Sequence, residues 1–368
     1  MALQRPATDR TGIGRAPTTA LRLRIDMPTH LVPRVRLGLR VALVAVLVPA
    51  AARAQGPFSS LTFFGDSYSD TGNLYLLTGG TQPPSPPYAT GRFSDGPIWV
   101  DYFAQALGRP ADAAPVFITR AASGDYAVGG ARTETPLIGT QTQIASYLTR
   151  PGATPGTLTD PTGLYTLFAG GNDLRDVGGI ADPAARHTAA AAAAQNVITQ
   201  AGELAGAGAR NILLFTLPSL AATPEAQAIP GRPAIDDQLA ATFNTTLVAG
   251  LAGLEGTYGA TTFFNFRFDN LFTNILRDAE GGGARYGLTN FTTPCLAPGA
   301  PSCATSVFAD VIHPTTRTDQ LIAAAAARYV TTGQNVAVVP EPTTWALLGT
   351  GLLATGAAAA RRRRTRAA

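Results

Sequence analysis

The sequence predicts an α/β fold, a parallel β-sheet covered by helices on both faces. Three observations carry this. Continuous apolar runs recur, within Leu61 to Phe64, Leu164 to Ala169 and Arg210 to Pro218, and strands buried on both sides read as such unbroken runs. Helical stretches of ten residues or more separate them, the alternation expected of a parallel sheet. Polar or glycine-rich turns follow directly at Ser67, Gly129/Gly130 and Asn172. In such sheets the carboxyl ends of the strands form one rim, where ligands bind.

The elements follow in order. Leu61-Thr-Phe-Phe64 is a short buried strand that runs through Gly65 into a turn tipped by Ser67, at the start of a helix. Gln82 to Asp95 is a surface loop rich in Pro, Gly, Ser and Tyr. Its Tyr88, Arg92 and Phe93 either line a substrate entrance or pack the loop down. Ile98 to Leu107 has helical spacing. Asp125 to Ala131 reads as a short strand ending in a glycine pair, and Thr140 to Leu148 as a helix. Leu164 to Asp173 is a strand ending in a polar turn, Asp182 to Ala209 an Ala-rich helix, and Arg210 to Pro218 a third buried strand. Ile235 to Gly256 (helix), Thr261 to Phe266 (strand) and Asp269 to Asp278 (helix) come next. A loop with both cysteines leads to Phe308 to Pro314, and Thr316 to Val330 is the last helix. No internal repeat is evident.

The two ends are targeting segments. Residues 1–54 are basic, contain the apolar run Val41 to Val48, and close on Ala52-Arg-Ala54. A positive region, a short apolar core and an A-x-A site make a secretory signal peptide, with cleavage by signal peptidase expected after Ala54. A start at Met27 gives this signal an ordinary length. At the other end, Val339-Pro-Glu-Pro342 precedes the uncharged segment Thr343 to Ala360 and then Arg361 to Arg364 and Arg366. The tail, residues 336–368, resembles the PEP-CTERM sorting signal of Gram-negative bacteria. That resemblance implies transient membrane contact, processing by an exosortase near Pro340 to Pro342, and a place at the cell surface or in the extracellular matrix. The main folded domain is expected over 55–335.

Without these ends the charge changes sign. Nine of the 28 basic residues lie in 1–54 and five in 340–368, which leaves 14 against 21 acidic residues, or −7, where the whole chain is +4. The basic balance therefore belongs to the targeting segments and gives no reason to expect a nucleic-acid partner. Lysine is absent from the sequence, which excludes a Walker-type phosphate lysine and a Schiff-base lysine. Cys295 and Cys303 are eight residues apart in Pro/Gly/Ser-rich sequence. In an exported chain this reads as one local disulfide pinning a loop. A two-cysteine metal site is the alternative, although no histidine stands beside them at ligand spacing.

A serine nucleophile needs a base, and the base an orienting acid. His187 lies in the Ala-rich helix and reads as a solvated residue. His313 follows Asp310 by three residues, close enough for the carboxylate to hold Nδ1–H and leave Nε2 facing a serine, with Pro314 stiffening the turn. Alone, Gly-Asp-Ser reads as a strand, a turn and a capped helix, and Asp-x-x-His as a capping acid near a surface histidine.

Four blocks in order say more: Gly65-Asp-Ser67-Tyr-Ser-Asp-Thr-Gly-Asn73, Asp125-Tyr-Ala-Val-Gly-Gly130-Ala, Gly170-Gly-Asn172-Asp173 and Asp310-x-x-His313. Over roughly residues 58 to 332 the chain resembles the GDSL lipases and esterases, or SGNH hydrolases. Tyr68 stands where the family usually has Leu, and Asp125 where relatives commonly carry Asn. The resemblance implies a three-layer α/β/α sandwich of flavodoxin type. Its nucleophile would be Ser67, its base and later acid His313, and its orienting acid Asp310. The oxyanion hole would be the Ser67 and Gly130 N–H groups and the Asn172 side chain, with Gly130 preferred to Gly129 by spacing. Asp66, Asp70, Asn73 and Asp173 would shape turns. No metal and no cofactor is implied. No G-x-S-x-G elbow is present, in keeping with a fold distinct from the α/β-hydrolases.

The function implied is a secreted serine esterase or lipase acting on lipid or short-chain esters through an acyl-enzyme. The same triad also serves a deacetylase of surface polysaccharide (an acetylated glycan as substrate), a (lyso)phospholipase or a thioesterase. A non-catalytic surface binding module is the reading from outside enzymology, and the intact Ser, Asp and His speak against it. Activity is expected to fall as pH drops through about 6.5, where an ordinary imidazole takes a proton. Replacing Cys295 is expected to cost stability more than chemistry.

Overall fold

Residues 56–337 are described by the computed structural model. The expected signal peptide with its start at Met27, and the apolar segment (expected as a helix) and arginine cluster of the tail, lie outside them. The apolar runs form β1 (Leu61–Gly65), β3 (Leu164–Phe168) and β4 (Asn211–Phe215), joined by β2 (Gly124–Asp125) and β5 (Thr262–Phe266). These pair in parallel throughout, in the order β2-β1-β3-β4-β5. This is the flavodoxin-type order, whose ligand crevice opens where the winding reverses between β1 and β3.

The helices are α1 (Asn73–Leu77), α2 (Trp99–Ala106), α3 (Thr140–Leu148), α4 (Gly171–Val177), α5 (Pro183–Gly206), α6 (Pro224–Gln227), α7 (Arg232–Thr257), α8 (Phe268–Glu280) and α9 (Thr316–Thr332). Successive strand residues face opposite sides of a sheet. Phe63 meets Trp99 and Phe103 of α2, ring centroids 5.8 and 6.2 Å apart. Its neighbour Phe64 meets Tyr147 of α3 at 5.7 Å. On the Phe63 side α9 joins α2, with Tyr329 against Phe264 and Phe266. On the other side α5 packs against α3 and α7, and Thr140 donates to Gln200 Oε1 at 2.7 Å. The result is a three-layer α/β/α sandwich. None of the described helices is long and apolar enough to cross a membrane.

Three local expectations need correction. Ser67 does not abut a helix: α1 begins only at Asn73 and has five residues. The Asp70 carboxylate captures the N–H groups of Gly72, Asn73 and Leu74 and so delays the helix. β2 ends at Asp125, short of Ala131, although the Tyr126 and Val128 N–H groups still donate to the Phe63 and Gly65 carbonyls. Asn172 is in the first turn of α4, where the sequence suggests only a polar turn, because Gly170 takes φ 109° and starts a helix at once.

Candidate active site

The turn after β1 is built by groups that leave no slack. A Cβ on Gly65 would lie 2.6 Å from the Phe168 carbonyl oxygen, so only glycine lets β1 run this close to β3. The Gly65 N–H donates to Gln143 Oε1 at 3.0 Å, and Gln143 Nε2 returns a bond to the Gly65 carbonyl at 2.8 Å. Asp66 then closes the turn: its carbonyl accepts from the Ser69 and Asp70 N–H groups, its Oδ1 from Tyr68 N–H at 3.0 Å. Ser67 is left at the tip, 7% exposed.

Buried carboxylates fasten this turn to the chain after β2. Asp70 accepts four backbone N–H groups, from Gly72, Asn73, Leu74 and Gly129. Asp125 accepts from Thr71 N–H and Oγ1 at 2.7 Å each and from Ala127 N–H at 2.8 Å. Asn73 Nδ2 donates to the Asp125 and Ala127 carbonyls. Burial raises the pKa of Asp70 and lifts that of Asp125 well above the carboxylate range, where the nearby Asp70 charge adds to it. Gly129 spends its N–H on Asp70 at 2.7 Å, and a Cβ there would meet the Phe93 ring at 2.5 Å. Gly130 has φ 79°. Among the described residues neither the Gly130 nor the Ser67 N–H donates to a protein acceptor.

Asn172 enters from the end of β3. Its Nδ2 donates to the Ala131 carbonyl at 2.9 Å, which leaves the second amide hydrogen for a ligand. Asp173 is occupied with the Thr133 N–H and hydroxyl.

The histidine comes from the loop before α9. Asp310 Oδ1 accepts from the Ile312 and His313 N–H groups at 2.8 and 2.7 Å and folds this segment into a tight turn. His313 Nδ1 lies 2.7 Å from Asp310 Oδ2, and Nε2 lies 2.8 Å from Ser67 Oγ. Burial alone would raise the Asp310 pKa. The donors on it, His313 foremost, bring it down to about 2. Tyr68 donates its hydroxyl to the Ile312 carbonyl at 2.8 Å, joining the serine turn to the histidine loop. Cys295 and Cys303 form a disulfide with Cα atoms 5.1 Å apart. With both sulfurs so joined, neither is a thiolate ligand. The Cys295 and Leu296 N–H groups pair with the Phe308 and Ala309 carbonyls, so the disulfide loop braces the segment that carries Asp310.

Sequence reasoning left three features unseen or misread. Burial pushes the Asp66 carboxyl up to about 7, against the Tyr68 N–H and the His313 charge, and the group lines the pocket beside Ser67. Tyr88 donates its hydroxyl to Asp310 at 2.6 Å, and the Phe93 ring lies 5.0 Å from His313, so the loop both packs down and walls the site. His187 is half-buried, its Nδ1 2.7 Å from Thr242 Oγ1, and links α5 to α7 where a solvated residue is expected.

Ser67, His313, Gly130 and Asn172 share one pocket of about 280 Å³. Its other walls are largely apolar: Leu74, Phe93, Phe168, Leu217, Leu220 and Ile312. The sequence profile of the GDSL-like lipase/acylhydrolase family matches residues 61–326. The chain belongs to this family. As a GDSL hydrolase it is a carboxylic ester hydrolase, as the sequence leads one to expect. Residues 338–364 match the PEP-CTERM protein-sorting motif, which marks export and sorting in Gram-negative bacteria. The GDSL hydrolase is 27% identical over 261 residues to a phosphatidylcholine-sterol acyltransferase of Aeromonas hydrophila, covering 69% of this chain and 70% of that protein. It is 28% identical to a thermolabile hemolysin of Vibrio parahaemolyticus (74% and 64%) and 27% identical to the esterase EstA of Pseudomonas aeruginosa (76% and 48%). The chain thus spans 48% to 70% of the length of these relatives. Among solved structures it is similar to the acetylxylan esterase Axe2 of Geobacillus stearothermophilus, with 14% identity, a TM-score of 0.37, and coverage of 77% of this chain and 99% of that one.

Proposed function

We propose that this GDSL hydrolase is a secreted serine esterase that cleaves carboxylic esters of extended acyl chains through an acyl-enzyme. One observation carries the reading: the unbroken relay from Ser67 Oγ to His313 Nε2 at 2.8 Å and from Nδ1 to Asp310 at 2.7 Å, opening on an apolar pocket. Ser67 attacks the ester carbonyl while His313 takes its proton, and Asp310 steadies the imidazolium that forms. The carbonyl oxygen becomes an oxyanion. The Ser67 and Gly130 N–H groups and the Asn172 amide hold it, and a single such donor is typically worth ~10²–10³ in turnover. His313 then protonates the departing alcohol. Water, activated by the same imidazole, hydrolyses the acyl-Ser67 ester and regenerates the hydroxyl.

The largely apolar walls favour an acyl chain over a bare acetyl group, since apolar area removed from water stabilises the bound chain. The sorting motif supports a working place at the cell surface or in the extracellular matrix, after exosortase processing near Pro340 to Pro342. The test is hydrolysis of p-nitrophenyl esters from acetate to palmitate, with Ser67→Ala in parallel. Turnover that rises beyond acetate and vanishes in the variant is the expected result. A preference for acetate would move the substrate to acetylated glycans. Equal rates in wild type and variant would sink the serine mechanism.

A further inference from the structure

We propose that Tyr88 is a positioning residue for the triad: its phenol grips the same oxygen of Asp310 that orients His313, and so fixes the imidazole's aim at Ser67. This rests on the triad reading above. Asp310 Oδ2 receives Tyr88 Oη at 2.6 Å and faces His313 Nδ1 at 2.7 Å, while Oδ1 is filled by the Ile312 and His313 N–H groups. Three of these four partners come from Asp310's own turn. The fourth arrives from 222 residues upstream. An acceptor shared by two donors at these distances cannot rotate without losing one of them, so the carboxylate plane is locked.

The loop that presents the phenol is itself fastened to the chain just after His313. Ser94 Oγ donates to the Pro314 carbonyl at 2.9 Å, and Asp95 Oδ1 accepts the Thr316 N–H at 2.8 Å. The Arg92 guanidinium grips Asp101 with Nε at 2.8 Å and an NH2 group at 2.7 Å. The Phe93 ring packs near both Tyr88 and His313, with centroids 6.1 and 5.0 Å away. Burial and the adjoining Asp310 carboxylate push the Tyr88 phenol upward, so it stays a donor through the whole working range. Tyr88 is not a wall of the substrate pocket, so it bears on the carboxylate and not on the acyl chain.

Removing the hydroxyl leaves Asp310 Oδ2 with one donor fewer. Its charge then acts more strongly on the imidazolium, which holds its proton to a higher pH. The other groups facing this pair, Asp66 beside His313 and Tyr68, with its hydroxyl on the Ile312 carbonyl, keep their places. Tyr88→Phe is therefore expected to lower kcat roughly threefold to tenfold, the worth of one hydrogen bond. It should raise the acid limb of the kcat profile by about half a pH unit and leave KM within about twofold.

The experiment measures pH–rate profiles and melting temperatures of wild type, Tyr88→Phe and Ser94→Ala, after fluorophosphonate labelling of the wild type. Ser94→Ala removes a loop anchor and spares the phenol, so its acid limb should stay where the wild type's is. A wild type that neither labels nor hydrolyses esters refutes the triad reading and this inference with it. An active wild type with an unmoved limb in Tyr88→Phe overturns the role of Tyr88 alone. So does an equal limb shift in Ser94→Ala, because loop docking would then explain both.

Discussion

Ser67 and His313 meet at 2.8 Å, yet the segments that carry them are held in different ways. The serine turn grows out of a central strand and is locked by buried carboxylates on backbone N–H groups, four on Asp70 alone. Among the described residues no strand ladder joins the histidine loop to the sheet. A disulfide segment braces it from one side and the 82–95 loop from the other, through Tyr88, Ser94 and Asp95. Ser67 is thus part of the folding core, whereas His313 is docked onto it by side chains distant in sequence. Damage to the first should unfold the protein, and damage to the second should mistune it.

The strongest way to break this contrast is Asp70→Ala. It would strand four N–H groups in the interior, and each unsatisfied donor costs about 1–3 kcal/mol. Loss of roughly 4 kcal/mol or more is expected in chemical denaturation, or no folded protein at all. A melting temperature within a degree of wild type would contradict the locked-turn picture. Cys295→Ser tests the other half. Opening a loop of eight residues costs about 2–3 kcal/mol in the chain-entropy treatment, and kcat of the folded fraction should stay within about threefold. If turnover vanished in a fully folded variant, the disulfide loop would have to be part of the site.

The smallest expected effect concerns Asp66. Its folded pKa is raised from 3.8 to about 7, chiefly by burial. Between these values the folded protein holds a proton that the unfolded chain releases. Stability therefore falls as pH rises through this window and levels off above about 7. Asp66→Asn carries no such proton and can still accept from Tyr68 N–H. Its melting temperature should gain on wild type as pH increases, reaching about 5 °C by pH 8. A difference independent of pH would show that Asp66 is ionised throughout.

Much of the architecture was legible in the sequence because buried parallel strands leave continuous apolar runs, as at Leu61 to Phe64 and Leu164 to Phe168. The GDSL family and the sorting motif were legible because their residues are contiguous and ordered. The delayed start of α1 was hidden, since it depends on Asp70 outcompeting the helix for three N–H groups, which no periodicity records. The sequence singles out Tyr88 as a residue of the loop that lines an entrance or packs down, but its grip on Asp310 left no local trace, because it joins residues 222 apart. His187 misled for a related reason: an Ala-rich helix hides which of its faces meets α7.

The measurement that bears most directly on the centre is mass-spectrometric mapping of a fluorophosphonate adduct, on wild type and on Ser67→Ala. Labelling at Ser67 in the wild type, with ester hydrolysis lowered by at least about 10⁴-fold in the variant, is the expected result. An adduct on another residue, or hydrolysis that survives in Ser67→Ala, would contradict it.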